Sequence, residues 1–219
     1  RKKDLQSIDC IKHLKDLEFD VSVIWSSKRN EKLPEGIDLK NIDYIFCFRS
    51  YFILPKFLID SAKFYSINFH PGSPKYPGSG GINFSLYNND KIFGVTAHLM
   101  NEKVDSGNIL STIYFPIFEN DNLFKLLDRT HGHLFNLFKE FTTNLRKYGN
   151  NYIKKNLIEN KDMVWGDLKR TIRDIDMYQL INIDVDEIEL KNRIRGFNFK
   201  DYPIELKLHG KTFVLKEDE

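Results

Sequence analysis

Cysteine is scarce in this 219-residue chain, which carries only Cys10 and Cys47. Two thiols cannot staple a small secreted scaffold or close a metal cage, so both are expected as small core residues in a reducing, cytoplasmic setting. A surplus of one charge is also missing: 33 basic side chains stand against 31 acidic ones, for a net charge of +2. That balance creates no broad basic field, and nucleic acid is not an expected partner. Apolar runs are short, far below the roughly 20 residues of a membrane-spanning helix, so no membrane is expected either. Glycine and proline are ordinary at 12 and 7, which argues against a fibrous repeat or a disordered chain. What is present is 41% apolar and 14% aromatic residues, enough to bury the core of one sizeable domain with a small appendage.

The chain opens on Arg1 with no hydrophobic signal segment. Leu5, Ile8, Ile11, Leu14 and Leu17 recur along one face of a predicted helix. Val21 to Trp25 is short and β-branched and predicts a strand, followed by a polar stretch with Pro34-Glu35-Gly36 as turn chemistry. Further strands are predicted at 43–48, 65–69, 93–100 and 109–117, with a short helix at 55–62 and a long amphipathic one at 122–148. Helices alternating with strands predict an α/β fold, a parallel sheet covered by helices, and a strand ahead of Arg1 would complete its first βα unit. The core is expected to span residues 1–149. Residues 150–219 are expected to form a small α+β region, with a helix at 185–197 and a β-hairpin turning at His209-Gly210.

Asn68-Phe69-His70-Pro71-Gly72 ends a predicted strand and enters a loop rich in proline and glycine. Ligands of open α/β sheets sit beyond the carboxyl ends of strands. Asn68 and His70 are two apart, so both point to one face while the chain is extended. The same spacing also suits an Asn and a His that merely satisfy loop backbone groups. Asp105 precedes Ser106-Gly107 at a turn between two strands, where an aspartate commonly bonds its own backbone. His131 and His133 are expected at a helix start, pointing to different faces. With His13, His98 and His209 they are assigned to packing or surface.

Taken together, the two stretches resemble the folate-dependent formyltransferase family, whose members carry Asn-x-His-Pro, a Gly-rich loop, then Gly-Val-Thr and an Asp-x-Gly about 35 residues after the histidine. Here Asp105 follows His70 by 35 positions. The loop His70-Pro71-Gly72-Ser73-Pro74 is one residue shorter than the His-x-Ser-Leu-Leu-Pro of the methionyl-tRNA and glycinamide ribonucleotide branches. Its continuation through Tyr76 and Gly78-Ser79-Gly80, with Phe48 to Pro55 and Gly94 to Lys103, is similar to the nucleotide-sugar branch, in particular the enzymes acting on dTDP-4-amino-4,6-dideoxyglucose. The resemblance implies a Rossmann-like core with a mostly parallel sheet. It implies formyl transfer from 10-formyltetrahydrofolate to the amine of a dTDP-linked amino-dideoxyhexose, in bacterial O-antigen or other surface-polysaccharide synthesis. The alternatives are a 3-amino isomer or another nucleotide sugar and, outside enzymes, a non-catalytic nucleotide-sugar or folate-binding module.

Such a transfer needs a base for the amine, a donor for the tetrahedral oxyanion and a proton for the folate nitrogen. Asn68 suits the oxyanion, His70 suits the base or the imidazolium beside it, and Asp105 suits the orientation of His70. The resemblance implies the same trio. An amine attacking an activated formyl donor needs no metal. Tyr51, Phe52, Ile53, Leu54 and Asp105 are implied as folate contacts, largely through main-chain groups, although the 51–54 run equally suits a helix start. Lys75, Tyr76, Gly78, Gly80 and Asn83, around the Gly-rich loop, are candidates for the nucleotide sugar. Trp165, Arg170 and Arg173 are candidates for stacking a base and holding phosphate. Apolar alternation in the carboxyl-terminal hairpin predicts a homodimer through this region.

Overall fold

Asp4 caps the first helix by accepting from the Ser7 N–H at 2.9 Å, and α1 (Leu5–Asp16) buries Cys10 and Leu14. In the computed structural model, which describes residues 1–38, 40–199 and 202–216, four strands then form one sheet. These are β1 (Tyr44–Phe48), β2 (Tyr65–His70), β3 (Ile92–Leu99) and β4 (Ile109–Pro116), in that spatial order. Between them, α2 (Lys56–Ile59) joins β1 to β2 and α3 (Gly81–Tyr87) joins β2 to β3. The fold is α/β as expected, but the sheet is mixed: β1–β2 is parallel, whereas β2–β3 and β3–β4 are antiparallel. Connection length decides the last pairing, because residues 100–108 are too few for the crossover of a dozen or more that parallel strands require.

Two local expectations fail. Val21 to Trp25 is not a strand. Among the described residues no strand lies beside the free edge of β1, so this segment has no ladder to join. It is held instead by the Lys2 N–H on the Ser26 carbonyl (2.8 Å) and the Tyr51 N–H on Ser26 Oγ (3.0 Å). The helix expected over 55–62 shrinks to the four residues of α2.

The long helix begins where Asn122 Oδ1 accepts from the Lys125 N–H at 3.0 Å. Within α4 (Leu123–Tyr148), Leu126, Thr130, Leu134, Leu137, Phe138, Phe141 and Leu145 form a buried stripe at helical spacing. Asn122→Ala is expected to cost about 1 kcal/mol, read as a lowered urea midpoint with unchanged slope. The stripe lies against the sheet, where Phe138 meets Phe69 at 4.8 Å, Phe48 at 5.4 Å and Phe46 at 6.1 Å between ring centroids. Strand alternation does the rest. With Ile67 and Phe69 turned toward α4, Asn68 and His70 turn to the opposite face. His131 and His133 lie inside α4 rather than at its start, and His133 stacks on Phe115 at 4.3 Å.

Beyond Gly149, at φ 59°, come α5 (Asn150–Glu159), α6 (Ile172–Gln179) and α7 (Glu187–Phe197). α7 is fastened to α3 by the Tyr87 hydroxyl donating to Glu189 (2.7 Å) and by Phe84 meeting Phe197 at 5.1 Å. Arg195 donates to Asn89 Oδ1 (2.7 Å) and to the Phe118 carbonyl (3.0 Å). A Cβ at Gly196 would stand 2.7 Å from the Asn83 carbonyl, so only glycine permits this approach. A second small sheet orders β5 (Leu180–Ile181), β6 (Glu205–Leu208) and β7 (Lys211–Val214). Its hairpin turns at His209 and Gly210, with φ of 47° and 73°, the positive pair that a two-residue type I′ loop requires. Residues 39, 200, 201 and 217–219 of the expected core and tail lie outside the described residues. No helix of the described residues is long and apolar enough to cross a membrane.

Candidate active site

Parallel pairing brings the carboxyl end of β1 beside that of β2, with Phe48 opposite Phe69. The loop carrying Tyr51, Phe52, Ile53 and Leu54 therefore leaves the sheet next to Asn68 and His70. Antiparallel pairing on the other side sets His98 directly opposite Asn68 and Thr96 opposite His70, at the close Cβ spacing of cross-strand neighbours. Asp105 reaches this face from the β3–β4 connection in a left-handed conformation, φ 49°, which aspartate tolerates better than most residues. Gly107 just beyond must be glycine, since a Cβ there would lie 1.9 Å from the Leu99 carbonyl oxygen.

Four polar side chains converge. His70 Nδ1 is 3.3 Å from Asp105 Oδ2, and its Nε2 is 3.2 Å from the Tyr76 carbonyl. Asp105 Oδ2 also accepts the Gly78 N–H at 2.9 Å. Asn68 Nδ2 stands 3.0 Å from His98 Nε2 and 3.5 Å from Asp105 Oδ1. His70, His98 and Asp105 are each buried. Trp165 closes the cluster, its indole N–H donating to the Gly107 carbonyl (2.8 Å) and its ring edge-on to His98 and His70. Thus the sequence-derived trio of Asn68, His70 and Asp105 is brought together. His98, read from sequence as packing, stands among them. The available signal was that His98 shares strand parity with Thr96 and Gly94, but only the β2–β3 register reveals which residue it faces.

Burial acts on both titrating partners. Burial would raise the Asp105 carboxyl, but the His70 and His98 rings and the Gly78 N–H outweigh it and bring the group down to about 2. For His70, burial lowers the imidazole below its ordinary value, against the upward pull of Asp105 and of the Tyr76 carbonyl. Both folded groups therefore hold protons less readily than unfolded ones, so stability must fall on acidification. The Asp105 contribution is complete above the ordinary aspartate value and is lost between roughly pH 4 and pH 2. Asp105→Asn is expected to flatten that acid limb, checked by denaturant midpoints across the pH series.

The other candidates divide by placement. Ile53 projects outward with 75% of its surface exposed, while Tyr51, Phe52 and Leu54 are half-buried. Gly78 and Gly80 carry φ of 89° and 77°, and a Cβ at Gly78 would sit 2.3 Å from the Arg170 carbonyl. Tyr76 is buried, and its hydroxyl donates to Asp90 (2.7 Å), which also holds Lys75 Nζ at 2.8 Å from each carboxylate oxygen. Lys75 thus anchors the loop to the end of α3. Asn83 is buried and donates to the Gly196 carbonyl at 2.8 Å, an internal fastening of α7. The Arg170 guanidinium carbon lies 3.9 Å from the centre of the Phe84 ring, and Arg173 is exposed. Trp165 forms a wall of the polar cluster. Among the described residues no group of three His, Cys, Asp or Glu is disposed to hold a metal ion.

Comparison with known proteins gives the family and the fold. The family model described as formyl transferase matches residues 9–141. A methionyl-tRNA formyltransferase of Streptococcus pyogenes is 33% identical over 132 residues, 59% of this chain and 41% of that protein; the chain spans about two fifths of the length of such curated relatives. Among solved structures, a 4-N formyltransferase from Francisella tularensis superposes with a TM-score of 0.63 at 21% identity, covering 82% of this chain and 72% of that one. The N-formyltransferase of Helicobacter canadensis, described in complex with folinic acid and dTDP-3-aminofucose, gives a TM-score of 0.52 at 25% identity, covering 75% of this chain and 58% of that one. With the family's region matched over more than half of its length and the polar cluster lying inside that region, the chain belongs to the formyl transferase family.

Proposed function

We propose that this chain is a sugar N-formyltransferase that moves the formyl group of 10-formyltetrahydrofolate to the amine of a dTDP-linked amino-dideoxyhexose. The observation that carries this reading is the convergence of Asn68, His70 and Asp105 on one buried spot at the carboxyl end of β2. The sugar ammonium loses its first proton to water, the freed amine attacks the formyl carbon, and neutral His70 takes the second proton from the attacking nitrogen, at Nε2 once that atom leaves the Tyr76 carbonyl. Charge then develops on the carbonyl oxygen, beside the Asn68 N–H and the new imidazolium. The bond from the formyl carbon to N10 breaks as His70 returns its proton to that nitrogen. Asp105, ionised throughout, holds the imidazolium form when it appears.

Support for the two substrates comes from both sides of the cluster. The loop at 51–54, exposed at Ile53, offers main-chain groups to a pterin. The glycines at 78 and 80, with the exposed cation of Arg173, suit a pyrophosphate, while Lys75 would first have to leave Asp90. The Helicobacter protein's described ligands favour a dTDP amino sugar and a formylfolate. The described neighbours name both ring positions; the loop from His70 to Gly80 favours dTDP-4-amino-4,6-dideoxyglucose, with the 3-amino isomer as the alternative. A role in surface-polysaccharide synthesis follows from that substrate, and the two free thiols suit the cytoplasm. Exposure of Phe213 and Val214 on edge strand β7, and of Leu215 just beyond it, supports a homodimer through this region.

The test incubates the protein with 10-formyltetrahydrofolate and each amino sugar, with methionyl-tRNA in a parallel arm, and follows the mass gain of one formyl group. Gain on a dTDP amino sugar supports the proposal. No gain on any of them despite tight nucleotide binding would reject it in favour of a binding module.

A further inference from the structure

We propose that His98 is a positioning residue that fixes the orientation of the Asn68 amide. The inference deepens the transfer reaction above and rests on it for its kinetic test. His98 Nδ1 lies 2.8 Å from the Leu99 carbonyl oxygen. A carbonyl only accepts, so Nδ1 carries the hydrogen of that bond, and in the neutral ring Nε2 is left with a lone pair. That lone pair faces Asn68 Nδ2 at 3.0 Å, while Asp105 Oδ1, 3.4 Å from the same nitrogen, is the acceptor a protonated Nε2 would take instead. The amide nitrogen, not the amide oxygen, must then point into the cluster.

One amide hydrogen is consumed by His98. The other lies against Asp105 Oδ1 at 3.5 Å, a contact long enough to yield to a developing oxyanion. Without an acceptor at position 98 the amide is free to turn over and present its oxygen, which repels the same oxyanion. The ring itself has little freedom to move. It is buried, sits in the direct cross-strand position to Asn68, and meets Trp165 edge-on at 4.9 Å between centroids. His98 touches no reacting atom in this scheme; it acts through Asn68.

Two experiments decide it. In the wild-type protein, nitrogen-15 NMR of the histidine rings is expected to show His98 as the Nδ1–H tautomer with Nε2 unprotonated. A proton on Nε2 would overturn the proposal whether or not the protein turns over any sugar. In kinetics, His98→Phe keeps the ring and its packing but removes the acceptor. It is expected to lower kcat by roughly tenfold or more with KM for both substrates nearly unchanged, and His98→Gln, which restores an acceptor, is expected to recover part of that loss. Because His98 works through Asn68, the double variant Asn68→Ala/His98→Phe is expected to be no slower than Asn68→Ala alone. Losses that multiply, or a His98→Gln as slow as Asn68→Ala, would overturn it. A wild-type protein that formylates nothing would reject the proposed reaction, leaving the tautomer to decide the positioning.

Discussion

His70→Ala is expected to lower turnover by roughly 10² to 10⁴-fold, the range for loss of a general base, with nucleotide-sugar binding retained. The size follows from what surrounds the ring. Asp105 holds Nδ1, so the proton must be taken at Nε2, which has to leave the Tyr76 carbonyl to reach the amine. Since His70 must be neutral to accept it, wild-type activity is expected to rise with pH along an acid limb. Burial lowers the imidazole, which places that limb below the ordinary histidine range, and His70→Ala should erase it. A pH–rate profile of both proteins is the check. Loss of less than about tenfold would assign the proton to another group. Melting temperatures of the two proteins separate chemistry from collapse, because the substitution also leaves the Asp105 carboxylate without its imidazole.

Phe138→Ala is expected to be the most damaging change away from the site, costing about 3–5 kcal/mol. Phe138 is 1% exposed and is the point where α4 meets three aromatic rings on β1 and β2. Truncation removes its transfer energy and opens a cavity that rings anchored on two strands cannot easily fill. For a chain of this size the loss corresponds to a fall in Tm of roughly 6–20 °C. The same rings hold β2 with Phe69 inward, so they also hold Asn68 and His70 outward. Activity is therefore expected to decline below the global transition in this variant, measured as turnover against temperature beside a circular-dichroism melt. A Tm within about 2 °C of wild type would show that the α4 seam is not the keystone of the sheet.

Much of the site was legible from sequence because it depends on short-range rules. Alternation in β2 puts Asn68 and His70 on one face, and a glycine-rich loop marks where backbone must approach closely. The hairpin at His209-Gly210 and the stripe of α4 are equally local, each set by a handful of neighbouring residues. Val21 to Trp25 shows the limit of that logic. Its β-branched pattern is real, yet a strand exists only when a partner offers a ladder, and none of the described residues does so at the edge of β1.

The neighbours that sequence did not reveal all come from distant segments. Lys75 is exposed and cationic in sequence terms, but the end of α3 returns to give it Asp90. Trp165 and Arg170, candidates for a ligand, come to the Gly-rich loop as the chain crosses back over it, the indole donating to the Gly107 carbonyl and the guanidinium standing over Phe84. His98 changed most, from packing residue to neighbour of Asn68, because antiparallel register places it there. By itself the sequence determined β1 to β4, α1 and α4, the shared face of Asn68 and His70, and the family, since each follows from periodicity or from a motif within a few residues. The mixed sheet, the closure of the site by Trp165 and the place of His98 were decided only by tertiary structure. Pairing partners and register depend on which faces find each other across dozens of residues, and no local pattern encodes that distance.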